Sequence, residues 1–330
     1  MIKDLMHPSA YPEMSKNIVL AQTHISNVFI GDEFVYKIKK PVNFGFLDFS
    51  TLENRQYYCK KEVELNSRFS KDVYLDVYPV TFDGTKYKID GKGKIVDYAV
   101  KMKRLSDENL MKSRFKNKKI TSKDINRIGK AIAAFYKISK KSEEINKFGN
   151  LDIIKFNTDE NFEQTAEFVG NSITEKQFFT LKDWTEEFYK KHKKIFTQRV
   201  KNGKIRDCHG DLHMEHIYLS DPIIIFDCIE FNDRFRYSDI LSDIAFLLMD
   251  LEYNGGIKLA EKLFKAYLSN IREEDDTDIF VLINFYKVYR AYVRGKVTSF
   301  ILNYATVSSE KKTEAKEIAQ RYFALGYSYI

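Results

Sequence analysis

The sequence predicts an α+β chain in two lobes: a small antiparallel sheet with one long helix over residues 1–103, then a larger helical lobe over residues 104–330. Three observations predict this. Apolar residues alternate with a period of two in 18–40 and again in 73–103. From Thr121 onward they recur at helical spacing, as with Ile125, Ile128, Ile132 and Phe135. A single strand–turn–strand pattern interrupts the helical part at 216–229.

Taken in order, "NIVLAQ", "SNVFI" and "FVYKIKK" read as three short strands, the last two joined by the turn "GDE". "STLENRQYYCKKEVELNSRFS" reads as a helix, capped by Ser50 or Thr51, with Glu53 placed for a capping box. "VYLDVYPVTF", "YKID" and "IVDYAVKMK" complete the sheet. The basic run "KSRFKNKK", residues 112–119, reads as a solvated loop. Helical patterns cover 121–139 and 158–200 and resume near Asp239. In the interruption, "HIYL" and "IIIFDCI" flank the turn "SDP". If Leu219 faces Ile223, His216 lies near Phe226 and Asp227, and the "HGD" loop is carried to the same end as Asp227.

Composition narrows the function classes. A formal charge of +7 on 330 residues admits an anionic partner without demanding nucleic acid, and none is expected. No apolar run approaches the roughly 20 residues of a membrane span, and the first residues lack an apolar signal segment. Cys59, Cys208 and Cys228 form no CxxC pair, which predicts reduced thiols and a cytoplasmic protein.

The chemistry concentrates in "CHGDLHMEHIYL", residues 208–219, which holds three of the six histidines. Structural zinc sites draw on two separated ligand pairs, and no second pair exists; HExxH and HxxEH do not match either. A phosphoryl-transfer loop fits better. Such a loop has His, then Asp two residues on, then a metal ligand five residues after that Asp; these positions hold His209, Asp211 and His216. The second metal ligand is expected at the end of the hairpin, at Asp227. Asp211 would take the acceptor hydroxyl proton, Asp227 and His216 would hold magnesium on the phosphates, and His213 sits where a cation meets charge on the transferring group.

This loop, together with "QTHISNVFIGDEFVYKIKK", "CKKEVELN", "KMKRL", "IFDCIEFNDRFRYSDILSDIAFLLMDLE" and "YRAYVRGKV", resembles the aminoglycoside phosphotransferase family of the protein-kinase-like superfamily, over nearly the whole chain. Some relatives in that branch carry an additional P-loop kinase domain; GxxxxGK[ST] is not found in this sequence. The resemblance implies a bilobal protein-kinase-like fold with ATP and Mg²⁺ as cofactors. Lys37, with Lys39 as rival, would contact the α- and β-phosphates, and Glu62, with Glu64 as rival, would be its helix partner. Ser26 lies in a phosphate-loop segment that contains no glycine. Met102 to Leu105, including Arg104, would face adenine, and Asp243 would brace the catalytic loop, while His209 reads as support for the Asp227 segment rather than as a proton carrier. His216 stands where the family carries Asn, and imidazole suits Mn²⁺ better than Mg²⁺.

The expected activity is an ATP-dependent small-molecule kinase acting on a hydroxyl of a neutral or anionic metabolite. The alternatives are an aminoglycoside-type antibiotic phosphotransferase and a nucleotide-binding regulator without catalysis. For the acceptor, Arg290 and Arg294 on one helical face suit an anion, and Glu230 suits a cation.

Overall fold

The computed structural model describes residues 1–273, 277–305 and 307–330. In chain order the strands are β1 (Val19–Gln22), β2 (Ser26–Ile30), β3 (Phe34–Lys39), β4 (Tyr74–Phe82), β5 (Tyr87–Ile89), β6 (Lys94–Lys103), β7 (Ile205–Asp207), β8 (Ile217–Tyr218), β9 (Ile224–Ile225) and β10 (Tyr237–Asp239). The helices are α1 (Ile2–Leu5), α2 (Leu52–Asn66), α3 (Met111–Lys116), α4 (Ser122–Ile138), α5 (Glu143–Lys147), α6 (Leu151–Thr165), α7 (Glu175–Lys201), α8 (Asp233–Arg236), α9 (Ile240–Tyr253), α10 (Ile257–Ile271), α11 (Thr277–Ser299) and α12 (Ser309–Ser328). The fold is mixed α+β, and it divides into two compact units: Met1–Lys119 with Glu215–Phe235, and Ile120–Met214 with Arg236–Ile330.

The first unit is built on an antiparallel sheet of order β1-β2-β3-β6-β4-β5. Strand alternation sorts its residues onto two faces. Tyr36 and Ile38 of β3 join Leu5, Ala10, Phe29, Val80 and Ala99 in one core cluster. On the other face Val100 packs with Tyr74, Val73 and Cys59 of α2. Lys37 and Lys39 alternate with Tyr36 and Ile38 along β3. Thr51 caps α2 by accepting from the Asn54 amide at 3.1 Å, a contact of about 1 kcal/mol. With Thr51 at the cap the third helical position is Asn54, so the capping box expected from Glu53 does not form. The segment expected as a solvated loop at 112–119 is instead largely helical: fully buried Met111 anchors the start of α3, and Lys118 at φ 55° lies beyond its end.

The β8–β9 hairpin has the expected register, pairing Ile217 with Ile225 and Tyr218 with Ile224. The Phe226 amide donates to the His216 carbonyl at 3.0 Å, so His216 lies beside Phe226 and Asp227.

The second unit is helical around α9, whose residues Ile240–Leu251 are all buried. A helix this apolar on every side belongs in a core. Leu282, Val288 and Ala291 of α11 and Ala319 and Phe323 of α12 are among the other buried core residues of this unit. Asp239 caps α9 by accepting from the Leu241 amide and also takes both arms of Arg199, at 2.8 Å each. Among the described residues no helix is long and apolar enough to cross a membrane.

Candidate active site

In the sheet unit, Glu62 resolves neither rivalry between the lysines in favour of one alone. Lys37 meets its Oε1 at 2.8 Å and Lys39 its Oε2 at 2.7 Å. Period-two alternation puts both ammonium groups on one face of β3. Glu62 is fully buried, whereas Glu64, two residues on, faces solvent. Lys37 also reaches Asp227 Oδ1 at 2.7 Å, and Lys39 pairs with Glu230. Burial alone would lower both lysines, but Asp227, Glu62 and Glu230 outweigh it for Lys37, and Glu230 and Glu62 outweigh it for Lys39; both rise. Burial would raise Glu62, and the two ammonium groups reverse that and lower it. For Glu230 burial prevails over Lys39 and the carboxyl rises.

Three carboxylates, Glu62, Glu230 and Asp227, therefore meet the two ammonium groups of Lys37 and Lys39. The least buried of them is Asp227, whose side chain is 39% exposed. Its Oδ2 lies 3.5 Å from His216 Nε2. A carboxylate and an imidazole at that separation make a donor set that fits a divalent cation. Asp227 has φ 61°, in the left-handed region that costs an L-residue energy and that Asp tolerates better than most. Two contacts hold it there: the Tyr74 hydroxyl accepts from the Asp227 amide at 3.1 Å, and Asn66 Oδ1 accepts from the Cys228 amide at 2.8 Å.

Three expectations in this unit need revision or placement. The amides of Lys103 and Arg104 are already donated, to Val73 and Glu33 carbonyls at 2.9 and 2.8 Å, and Met102 lies within the sheet between Val35 and Tyr74. Among the described residues the first linker amide without a partner is that of Leu105, one position beyond Arg104. The Ser26 hydroxyl is fully buried and has no hydrogen-bond partner among the described residues. Glu230 is 4% exposed and committed to Lys39, so it offers no open acidic patch to an acceptor. Sequence reasoning missed Tyr74 and Asn66, which touch Asp227 and its neighbour from more than 150 residues away. It also missed the Lys39–Glu230 pair; two lysines on one strand face were the available signal for a second acid.

In the helical unit, the loop 207–214 is moulded by carboxylates that accept from its backbone. Asp243, fully buried, takes the His209 amide at 2.7 Å and the Gly210 amide at 3.1 Å. Tyr136 donates to the same carboxylate at 2.6 Å. Asp250 takes the Met214 amide at 2.9 Å. Arg290 Nη1 donates to the Gly210 carbonyl at 2.9 Å, and its Nε lies 3.2 Å from Ser242. Gly210 sits at φ 89°, a conformation that a side chain would strain. Between these anchors Asp211 is left with its side chain 34% exposed. His213 Nε2 lies 3.4 Å from Asp211 Oδ2; burial would lower the imidazole, and the carboxylate overrides that and raises it. His209 is fully buried and its Nδ1 accepts from the Asp211 amide at 3.3 Å. Arg290 is thus spent on the loop, while Arg294, one turn further along α11, lies against the Tyr322 ring at 5.6 Å.

Comparison with known proteins places this arrangement. The structure is similar to an aminoglycoside 2'-phosphotransferase solved with GDP, with a TM-score of 0.53 at 12% identity, covering 95% of this chain and 94% of that one. It is also similar to an ethanolamine kinase from Plasmodium vivax, with a TM-score of 0.51 at 13% identity, covering 93% of this chain and 81% of that one. At these identities the likeness speaks for the fold, which is the one the aminoglycoside phosphotransferases share. In sequence the chain is 29% identical over 315 residues to uncharacterised proteins of Mycobacterium tuberculosis and Mycobacterium bovis. The match covers 95% of this chain and 60% of those relatives, so the chain spans well under two thirds of their length. Residues 90–278 match the phosphotransferase enzyme family, more than half of the chain, and the chain belongs to that family.

Proposed function

We propose that this chain transfers the γ-phosphoryl group of ATP to a hydroxyl of a small molecule. The observation that supports it most is the Lys37 ammonium held between Glu62 and Asp227, at 2.8 and 2.7 Å. Glu62 keeps the ammonium charged and aimed, and Lys37 exchanges Asp227 for α- and β-phosphate oxygens when nucleotide arrives. Asp227 and His216 would hold a divalent cation, which when bound neutralises phosphate charge. The Leu105 amide, following Met102 and Arg104, offers the adenine edge a donor. Ser26 lies on the adjoining strand, directly paired with Lys39.

Asp211 accepts the acceptor hydroxyl proton and directs its oxygen in line; such help contributes roughly 10²–10⁴ in rate. Burial opposes charge on His213 and Asp211 outweighs it, so the imidazole is raised and positive charge on the same loop is favoured. Asp243 acts through the backbone of His209 and Gly210, as a positioning residue. The greater share of the acceleration comes from positioning and charge stabilisation.

The test is phosphorylation of a small-molecule pool with γ-labelled ATP, run with Mg²⁺ and with Mn²⁺. Label should pass to an acceptor, and Asp211→Asn should slow it by roughly 10²–10⁴; near-normal transfer by that variant refutes the assignment. The imidazole of His216 predicts higher turnover with Mn²⁺, and clearly better turnover with Mg²⁺ rejects that preference. A second reading, nucleotide binding without turnover, is favoured by the glycine-free segment 22–27, where Thr23 Oγ1 closes the turn by accepting from the Ser26 amide at 3.0 Å. Slow ATP hydrolysis that requires Asp211 separates the two.

A further inference from the structure

Several arginines of the helical unit are buried or half-buried, and most are visibly satisfied. Arg199 is paired with Asp239 and Glu273, Arg236 with Asp207, and Arg290 with the Gly210 carbonyl, Ser242 and Asp243. Arg294 differs. Among the described residues no carboxylate lies within ion-pairing distance of its guanidinium, although it is only partly open to solvent. A guanidinium does not shed its charge, and with no oxyanion in contact its planar fork can still take one.

Its surroundings are built rather than accidental. Arg294 lies over Tyr322 at 5.6 Å, and Tyr322 stacks on Tyr253 with centroids 3.8 Å apart and an interplanar angle of 10°. Arg321 covers Tyr253 at 5.3 Å. The rigid tyrosine pair limits the rotamers open to Arg294. Arg294 stands one helical turn beyond Arg290, whose Nη1 grips the carbonyl of the residue preceding Asp211. Tyr322, Asp211 and Asp250 together hold its charge firmly against the burial that opposes it.

We infer that Arg294 is an anion-binding residue of the acceptor site, and that the acceptor is a hydroxyl compound bearing a phosphate or carboxylate group. The hydroxyl goes to Asp211 and the anionic group to the Arg294 fork, which matches either oxyanion in two-point geometry. The formal charge of +7 agrees with an anionic acceptor. This deepens the kinase reading and rests on it for the word acceptor, but the anion site itself does not depend on turnover.

The test has two arms. In the first, binding of inorganic phosphate is measured by calorimetry and by phosphorus NMR, with ADP present to fill the nucleotide side. Arg294→Gln should weaken phosphate by about tenfold or more, while Arg321→Gln leaves it at the wild-type value. No phosphate binding by the wild type, equal binding by Arg294→Gln, or equal loss in both variants overturns the site. In the second arm, transfer from labelled ATP is compared for glycerol, glycerol phosphate and glycerate. The two charged acceptors should show the lower KM, and which of them is preferred separates phosphate from carboxylate recognition. Arg294→Gln should raise that KM at least about tenfold with little change in kcat, and Arg294→Lys should restore part of it. An uncharged acceptor preferred by the wild type overturns the inference. Arg294-dependent phosphate binding with no transfer to any acceptor leaves the anion site standing and refutes the kinase reading.

Discussion

The charged residues around the Lys37 cluster and those around the 207–214 loop are held by different means. In the sheet unit, Lys37, Lys39, Glu62, Glu230 and Asp227 bind one another side chain to side chain. In the helical unit, Asp243 and Asp250 bind backbone amides, and Arg290 binds a backbone carbonyl. A network of side chains can exchange partners when a new charge enters; a carboxylate that fixes main-chain amides sets the shape of a loop. The first suits a nucleotide and its cation, which must displace existing pairs. The second suits a base that has to stay where it is.

Experiments can break or sharpen that contrast, beginning with the largest expected effect. Asp211→Asn should lower kcat by roughly 10²–10⁴ with nucleotide affinity unchanged, whereas Lys37→Met should weaken nucleotide binding as well. Steady-state kinetics with nucleotide titration would show this, and an Asp211 variant that loses nucleotide affinity would blur the two roles. Next, Glu62→Gln leaves two buried ammonium groups facing one fewer negative charge and should cost about 3–5 kcal/mol in denaturant unfolding. Glu64→Gln, two residues along on the exposed face, should stay within about 0.5 kcal/mol. Smaller again, Asp243→Asn replaces acceptance from two amides by a neutral group and should cost about 1.5–3 kcal/mol, with a fall in kcat and little change in nucleotide affinity.

The smallest effect is a pH dependence at His213. Its imidazole is raised above its ordinary value, burial opposing and Asp211 prevailing, so folding favours the protonated form. That contribution is fully present below the ordinary imidazole value of about 6.5 and fades as pH rises through the raised value of the folded protein. The stability gap between the wild type and His213→Gln should therefore narrow with increasing pH; a gap that widens contradicts the pairing.

How far these features could be read from sequence follows from their range. The strands of the sheet, α2, α4 and the β8–β9 register were legible because alternation, helical spacing and a short turn are local signals. The placement of His216 beside Asp227 followed from that register alone. The choice between Lys37 and Lys39 could not be made, since residues two apart on a strand share a face, and both in fact meet Glu62. Asn66, Tyr74 and Glu230 were invisible because their contacts join segments 150 to 190 residues apart. The basic run at 112–119 misled because charge suggested a loop, while one buried methionine was enough to seat a helix. Arg290 and Arg294 looked equivalent on one helical face; the contacts of Arg290 with the Gly210 carbonyl, Ser242 and Asp243 told them apart.

The left-handed turn at Asp227 bears on how that position can be interrogated at all. A β-branched or bulky replacement would pull the main chain out of φ 61° and drag the whole segment with it. Loss of function in such a variant would report on backbone shape and on charge together. Asparagine shares the torsional tolerance and the outline of aspartate and removes the charge, turning one acceptor into a donor, so at this one residue the amide tests the electrostatics without disturbing the backbone.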